Sequence, residues 1–202
     1  MQEKFKARVQ TDKNLYIHND LSQGATYFND TIQEKLKKGS RDAIAFDGMA
    51  CALMIAFAFE ANLNFMGSYL LKVARINAWD ERAKFSKKLE KVFTTIGIAV
   101  EPDKRPQSSM QRMKDLRDTL AHGKPVEIVD DEEREGTQEE LRKGSSLAAD
   151  WEQEVKPEVV AECLADLDQL WKLMIEKSGV SVIDTMSQGE VSITVIERVA
   201  DK

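Results

Sequence analysis

The sequence predicts an all-α fold, an antiparallel helical bundle of about five helices with a small C-terminal β-hairpin. Three observations lead to this prediction. Apolar residues recur at helical spacing in several segments, glycines follow the ends of those segments, and β-branched residues dominate the C-terminal tail. A chain of 202 residues, 42% of them apolar, is long enough to bury one sizeable core.

The first predicted element is a polar helix near the N-terminus. Residues 1–17 show no sign of regular order in their sequence. Asn19 or Asp20 can cap a helix that runs to Lys38 and ends at Gly39.

The second predicted helix is much more apolar. It starts at Ser40 or Asp42 and extends to about Ile76, and its first half is apolar almost all round, which is typical of a helix wrapped by others. Asp47 interrupts the apolar run and Glu60 ends it. These charges favour a buried core helix over a membrane span.

Two amphipathic helices follow. The third begins after Asn77 and ends at Gly97. Its apolar residues fall on one stripe: Phe85, Leu89, Val92, Phe93 and Ile96. The fourth ends at Gly123, which places His122 in its last turn. Its apolar residues are Met110, Met113, Leu116 and Leu120.

The C-terminal third contains a charged loop, a fifth helix and the tail. Residues 126–150 are loop-like, and a helix with apolar residues at helical spacing opens at Pro157 and closes at Gly179. The tail contains VSVID and VSITVIERV, separated by TMSQGE, which predicts a β-hairpin. We therefore expect an N-terminal arm with a polar helix at 1–40, a helical domain at 41–178 and a hairpin at 179–202.

Composition excludes several classes of protein. A formal charge of −6 argues against a protein that coats nucleic acid non-specifically, although a local basic groove is compatible with it. Cys51 and Cys163 lie far apart and are expected to be reduced core thiols. The sequence has no phosphate-binding loop and too few histidines and cysteines for a metal cluster. We expect a cytoplasmic protein with no metal, no cofactor and no membrane association.

The segment RDTLAHGKP places Arg117 and His122 five residues apart at the end of the fourth helix. Five helical steps separate two side chains by about 140° and about 7.5 Å. One copy therefore makes only a loose pair. A two-fold axis could combine two copies into a cluster of two arginines and two histidines.

Such a cluster suits metal-free cleavage of RNA. Histidine titrates near neutrality and can act as acid or base, and arginine binds phosphate through a planar fork of donors. The helix C-terminus and Asp118 are expected to favour protonated His122. The structural alternative is that His122 caps helix carbonyls and Arg117 lies on a solvated face.

The segments AFEANLN, AWDERAKFSKKLEKV, KRP and MKDLRDTLAHGKP, in this order, resemble the HEPN family of helical domains. The resemblance covers roughly residues 41–178, and only the Arg–His motif is specific within it. Many HEPN proteins are metal-independent endoribonucleases of toxin–antitoxin, abortive-infection and other defence systems. Their arginine, a polar follower and a histidine lie near a helix end at a homodimer interface. Arg117, Asp118 and His122 match these positions.

The resemblance also implies partners. It implies an RNA substrate, a homodimer, and a cognate antitoxin or defence partner. One HEPN subgroup carries a tyrosine two residues after the histidine as the target of AMP transfer. This chain has Lys124 there, which speaks against that mode of neutralisation.

Further residues are candidates for supporting roles. In the resemblance, the position of Glu60 faces the Arg–His pair, so Glu60 and Asn64, one turn apart, could orient Arg117 or His122; alternatively they form a buried polar pair. Lysines on the third helix and after the fourth could steer RNA, or form an ordinary solvated face. These lysines are Lys84, Lys87, Lys88, Lys91 and Lys124. His18 is expected to be a surface residue without a partner.

Three functional hypotheses follow. The first is a homodimeric, metal-independent endoribonuclease of HEPN type with Arg117 and His122 as catalytic residues, acting as a bacterial toxin or anti-phage defence effector. The second is a non-catalytic HEPN-like module that binds RNA, nucleotide or protein. The third is a helical interaction protein whose C-terminal hairpin docks a partner strand by strand.

Overall fold

The structure, a computed structural model, describes residues 4–129, 133, 135–143 and 149–199. The described chain is mostly helical and has a small two-stranded antiparallel sheet, as expected from the sequence. Its elements, in order, are β1 Lys4–Asn14, α1 Ile17–Lys37, α2 Ile44–Lys72, α3 Phe85–Ile96, α4 Gln107–His122, α5 Gln138–Lys143, α6 Asp150–Glu154, α7 Pro157–Ser178 and β2 Gln188–Val199.

Helix α2 is the central element of the fold. It packs against α1, α3, α4 and α7, which confirms the central position predicted for it. Its buried face supplies a large part of the core, including Ile55, Phe59, Leu63, Met66 and Leu70. By length and composition alone α2 could also cross a membrane, but 44% of its most apolar window is buried inside this fold.

Glycines end three helices in the left-handed conformation. Gly97, Gly123 and Gly179 follow α3, α4 and α7 with φ between 52° and 78°, a region that favours glycine because it lacks a Cβ. The predicted ends of these helices are confirmed. The end of α4 matters most, because it leaves His122 as the last helical residue.

Other helix boundaries differ from the prediction. Helix α2 ends at Lys72 rather than near Ile76, and α3 begins at Phe85 rather than just after Asn77. The connector between them folds back on α2, since the ring of Trp79 lies where a Cβ on Gly67 would be. Gly67 in α2 thus leaves room for the Trp79 ring of the connector.

The start of α1 also differs. The helix begins at Ile17, two residues before the predicted cap. The side chain of Asn19 does not cap it; its amide donates to the carbonyl oxygen of Thr185 at 2.8 Å. A tertiary contact has replaced the expected local one.

The predicted C-terminal hairpin is wrong in its pairing. Strand β2 pairs antiparallel with β1, from the N-terminus, through a register that matches Val9 with Ile193. The segment VSVID is not a strand, because it forms a turn and a short 3₁₀ helix at Ile183–Thr185. Residues 4–14, predicted to lack regular order, therefore form half of the sheet.

The predicted charged loop at 126–150 contains short helices. Helix α5 occupies Gln138–Lys143, and α6 begins at Asp150. Residues 130–132, 134 and 144–148 of this loop lie outside the described residues.

Candidate functional site

Arg117 lies in the middle of α4 and is held by two carboxylates. Its Nη1 atom donates to Oε2 of Glu60 at 2.6 Å, and its Nε and Nη2 atoms donate to Oδ1 of Asp118 at 3.0 and 2.7 Å. The guanidinium also lies 5.9 Å from the ring centre of Phe57, a cation–π distance. The side chain keeps 21% of its surface exposed. Arg117 is therefore fixed in direction but reachable from solvent.

Glu60 connects Arg117 to a buried lysine. Lys88 reaches from α3 and donates from Nζ to Oε1 of Glu60 at 2.8 Å and to Oδ1 of Asn64 at 3.1 Å. Its side chain is only 2% exposed. The expectation that Lys88 lies on the exposed face of the third helix is wrong, because the two polar side chains of α2 draw its ammonium group inward.

The carboxylates of the site are held in the ionised form. Partial burial alone would raise the pKa of Glu60, but hydrogen bonds from Lys88 and Arg117 outweigh it and hold the pKa below its usual value. Hydrogen bonds from Lys114 and Arg117 lower the pKa of Asp118. Both groups are poor candidates for a general acid at neutral pH.

Asp118 does not act on His122 through a direct contact. Its second oxygen accepts from Nζ of Lys114 at 2.9 Å, so its bonding partners in the structure are Lys114 and Arg117. Asp118 can therefore act on His122 only through its charge, from one helical turn away. The support of Arg117 by Glu60 is direct.

His122 is the last residue of α4 and is exposed to solvent. No hydrogen bond to its imidazole occurs within the described ranges. Because Arg117 and His122 are about 140° apart around the helix, the guanidinium that contacts α2 and the imidazole point in different directions. One protomer alone does not bring the two side chains together.

The start of α4 is fixed by a second charge cluster, on α7. Asp166 is 3% exposed and accepts hydrogen bonds from Arg105 at 2.8 and 2.9 Å and from the hydroxyl of Ser109. Burial alone would raise the pKa of Asp166, but these donors lower it. No local sequence pattern identifies this cluster, since its members are spread over 61 positions. It anchors the helix that carries Arg117 and His122.

The remaining candidate lysines are exposed. Lys84 and Lys87 lie at the N-terminal end of α3, Lys91 lies one turn further and donates to the carbonyl oxygen of Ala78, and Lys124 follows the end of α4. Lys91 thus has a bond within the fold that ties the α2–α3 connector to α3. The structure leaves Lys84, Lys87 and Lys124 as accessible cations around the site.

Two cavities border the helices of the site. One of about 620 Å³ is lined by Asn64, Tyr69 and Lys72 of α2 and by His18 of α1. A second cavity, of about 720 Å³, lies between α4 and α6 and is lined by Arg112, Asp115, Trp151 and Glu154 among others. Within the described residues, no group of three or more histidine, cysteine or carboxylate side chains could hold a metal ion.

His18 is not the surface residue that the sequence predicted. It is 2% exposed, and its ring packs against Phe65 at 4.7 Å and Trp171 at 5.0 Å between centroids. Burial lowers the pKa of His18 to about 4, against a smaller opposing effect of Asp20. Its apolar partners lie far away in the sequence, so no local signal could have identified them.

The charges of the site balance one another. Three cations, Lys88, Lys114 and Arg117, alternate with the carboxylates of Glu60, Asp115 and Asp118. Arg117 uses three of its five N–H donors on carboxylates and retains two for another ligand. The arrangement can present a fixed guanidinium edge, but an incoming anion competes with two carboxylates for it.

Comparisons with protein-family models, curated proteins and solved structures find no match for this chain.

Proposed function

We propose that this chain is a metal-independent endoribonuclease of HEPN type that acts as a homodimer in the cytoplasm, as a bacterial toxin or anti-phage defence effector. One observation carries the proposal. The same helix holds a guanidinium fixed by Glu60 and Asp118 and ends in an exposed imidazole. A fixed cation and a titratable group are what transfer within an RNA backbone requires.

The proposed reaction uses two copies of the helix. Arg117 holds the phosphate with its two remaining N–H donors while the neighbouring 2′-hydroxyl oxygen attacks phosphorus. Water accepts the hydroxyl proton, the bond from phosphorus to the 5′ oxygen breaks, and the partner's His122 donates a proton to that oxygen. The products are a 2′,3′-cyclic phosphate and a 5′-hydroxyl end.

Glu60, Asn64 and Lys88 have positioning roles in this proposal. Lys88 cannot contact RNA, because its side chain is buried. It instead fixes Glu60, which fixes Arg117. Exposed Lys84, Lys87 and Lys124 are the cations that attract the RNA backbone toward a protein of net charge −6.

The test is cleavage of a panel of cellular RNAs with EDTA present. We expect wild-type protein to cleave, His122→Ala to lose roughly 10²- to 10⁴-fold in rate, and Arg117→Lys to lose activity because lysine lacks the planar fork. Lys104→Ala removes an exposed cation whose ion pair with Glu101 is a local one, and it is the matched control. Wild-type protein that cleaves no RNA, or His122→Ala protein that cleaves normally, contradicts the proposal.

The alternative is a non-catalytic HEPN-like module that binds RNA, nucleotide or protein. The charge balance around Arg117 favours it, because Glu60 and Asp118 already satisfy the guanidinium without any ligand. RNA binding without turnover, weakened by Lys84→Ala or Lys124→Ala and unchanged in His122→Ala, distinguishes this alternative. A cognate antitoxin or defence partner fits either function and is tested by co-purification.

A further inference from the structure

The ribbon formed by β1 and β2 has one apolar and one polar face. Side chains alternate between the faces of a strand, so cross-strand pairs do too. One face carries the pairs Ala7–Val195, Val9–Ile193 and Thr11–Val191. The opposite face carries the pairs Arg8–Thr194, Gln10–Ser192 and Asp12–Glu190. We call the first of these the ribbon face.

The ribbon face is open to solvent in the single chain. Val9, Val191, Ile193 and Val195 are between 57% and 66% exposed. The strands pack on each other, and none of the principal contacts among the described elements joins either strand to a helix. An apolar surface of this kind on a soluble domain usually marks an interface.

A second group of exposed apolar side chains lies at the base of the ribbon. The backbone N–H of Tyr16 donates to the hydroxyl of Ser187 at 3.0 Å and holds the two chain segments together there. Large apolar side chains around this point are between 56% and 68% exposed: Leu15, Ile17, Val182, Ile183 and Met186. The ribbon and its base therefore leave a long apolar region uncovered.

We propose that the ribbon face binds the ribbon face of a second copy of this chain. A two-stranded ribbon is marginally stable alone, whereas two ribbons stacked face to face form a four-stranded sandwich with a hydrophobic layer. The three pairs carry no charge, and Lys13, which follows them on the same face, lies near the end of the strand, where its ammonium group stays in water. Two such faces therefore meet without burying an unpaired ion.

The available area is sufficient for a stable dimer. Eleven residues of strand extend about 36 Å. The exposed apolar side chains of the ribbon face offer on the order of 500 Å² per protomer, so that two faces together reach the roughly 1,000 Å² that a biological interface needs. The interface differs from the α4 contact expected for the nuclease, and it does not depend on that activity.

The experiment compares two double variants of the full chain by sedimentation or light scattering across a dilution series. Val9→Lys with Ile193→Glu places a favourable charge pair on the ribbon face. Gln10→Lys with Ser192→Glu places the same pair next to it on the opposite face and is the matched control. Circular dichroism and thermal melting establish that both variants retain the helical bundle.

We expect the wild-type and control proteins to keep the ribbon contact on dilution and the ribbon-face variant to lose it at concentrations at least tenfold higher. Both variants leave α4 unchanged, so an α4 contact affects them equally. Cross-linking of an introduced cysteine gives a second measurement. Cys51 and Cys163 are buried, so Ile193→Cys introduces a single exposed thiol, which a short bis-maleimide should join into a covalent dimer more readily than Ser192→Cys.

Several results overturn the proposal. One is a wild-type protein that is monomeric at all concentrations, which would leave the ribbon face to a different protein. Another is a ribbon-face variant that assembles like the control at every concentration, because both variants leave α4 unchanged. Absence of RNA cleavage by an intact dimer contradicts only the nuclease proposal.

Discussion

At the scale of single residues, the buried ammonium of Lys88 determines how the candidate site is built. It has two partners, Glu60 and Asn64, and its side chain is nearly inaccessible to water. A buried charge without its counter-ion is costly, whereas an exposed one is not. Glu60, by contrast, is 28% exposed and also binds Arg117.

This asymmetry predicts unequal effects of removing the two partners. Glu60→Gln should destabilise the fold by about 3 kcal/mol, because Lys88 remains buried with neutral amide oxygens as its acceptors and no counter-ion. Lys88→Met should cost about 1 kcal/mol or less, since Glu60 keeps Arg117 and access to water. Urea denaturation at pH 7 measures both. Equal losses, or a larger loss for Lys88→Met, would contradict the idea that the main cost is to leave Lys88 buried without its counter-ion.

His18 gives the fold a pH dependence of defined sign. Burial holds the pKa of His18 at about 4 in the folded protein, whereas its pKa in the unfolded chain is about 6.5. Between these values the unfolded state binds more protons, so stability is complete above about pH 6.5 and falls as the pH drops toward 4. The total loss should be about 3 kcal/mol.

The measurement is the free energy of unfolding of wild-type and His18→Phe proteins at several pH values. The variant keeps an aromatic ring against Phe65 and Trp171 and should lose the slope between pH 6.5 and 4. The same carboxylates titrate in both proteins, so the difference between the two curves isolates His18. Parallel curves would mean that His18 is accessible to protons in the folded state.

At the scale of elements, local patterns predict helices well and pairing poorly. The stripe from Phe85 to Ile96 and the glycines at 97, 123 and 179 define three helix ends correctly, because those signals act within a few residues. The β1–β2 pairing joins residues about 180 positions apart, and its energy comes from contacts that no local window contains. Strand β2 was predicted as a strand, but with the wrong partner.

The sequence predicts the candidate site only in part, because local signals indicate some of its residues but not their distant partners. Glu60 and Asn64 stand one turn apart in an apolar helix, which indicates polar groups that need partners, and the structure supplies Lys88 and Arg117. The inward turn of Lys88 was not predictable, because a lysine at the edge of an amphipathic stripe is usually solvated. The Asp166 cluster was missed because its parts lie in separate helices.

At the scale of the whole molecule, the geometry of α4 decides which copy supplies the arginine and which the histidine of the proposed active site. Arg117 faces α2 and His122 lies about 140° around the helix, so an active site in this proposal pools an arginine from one copy with a histidine from the other. Arg117→Ala and His122→Ala proteins should each be inactive alone. Their mixed dimer should retain one complete combination of arginine and histidine.

Mixing the two inactive variants should therefore restore RNA cleavage. After subunit exchange in equal amounts, about half of the dimers are mixed, and the rate should rise well above either parent toward a fraction of wild type. Native mass spectrometry of the mixture verifies the exchange, and a mixture of Arg117→Ala with itself is the control. If mixed dimers form and cleavage stays at the level of the parents, the arginine and histidine do not act across the interface, because each mixed dimer contains one intact copy of both side chains.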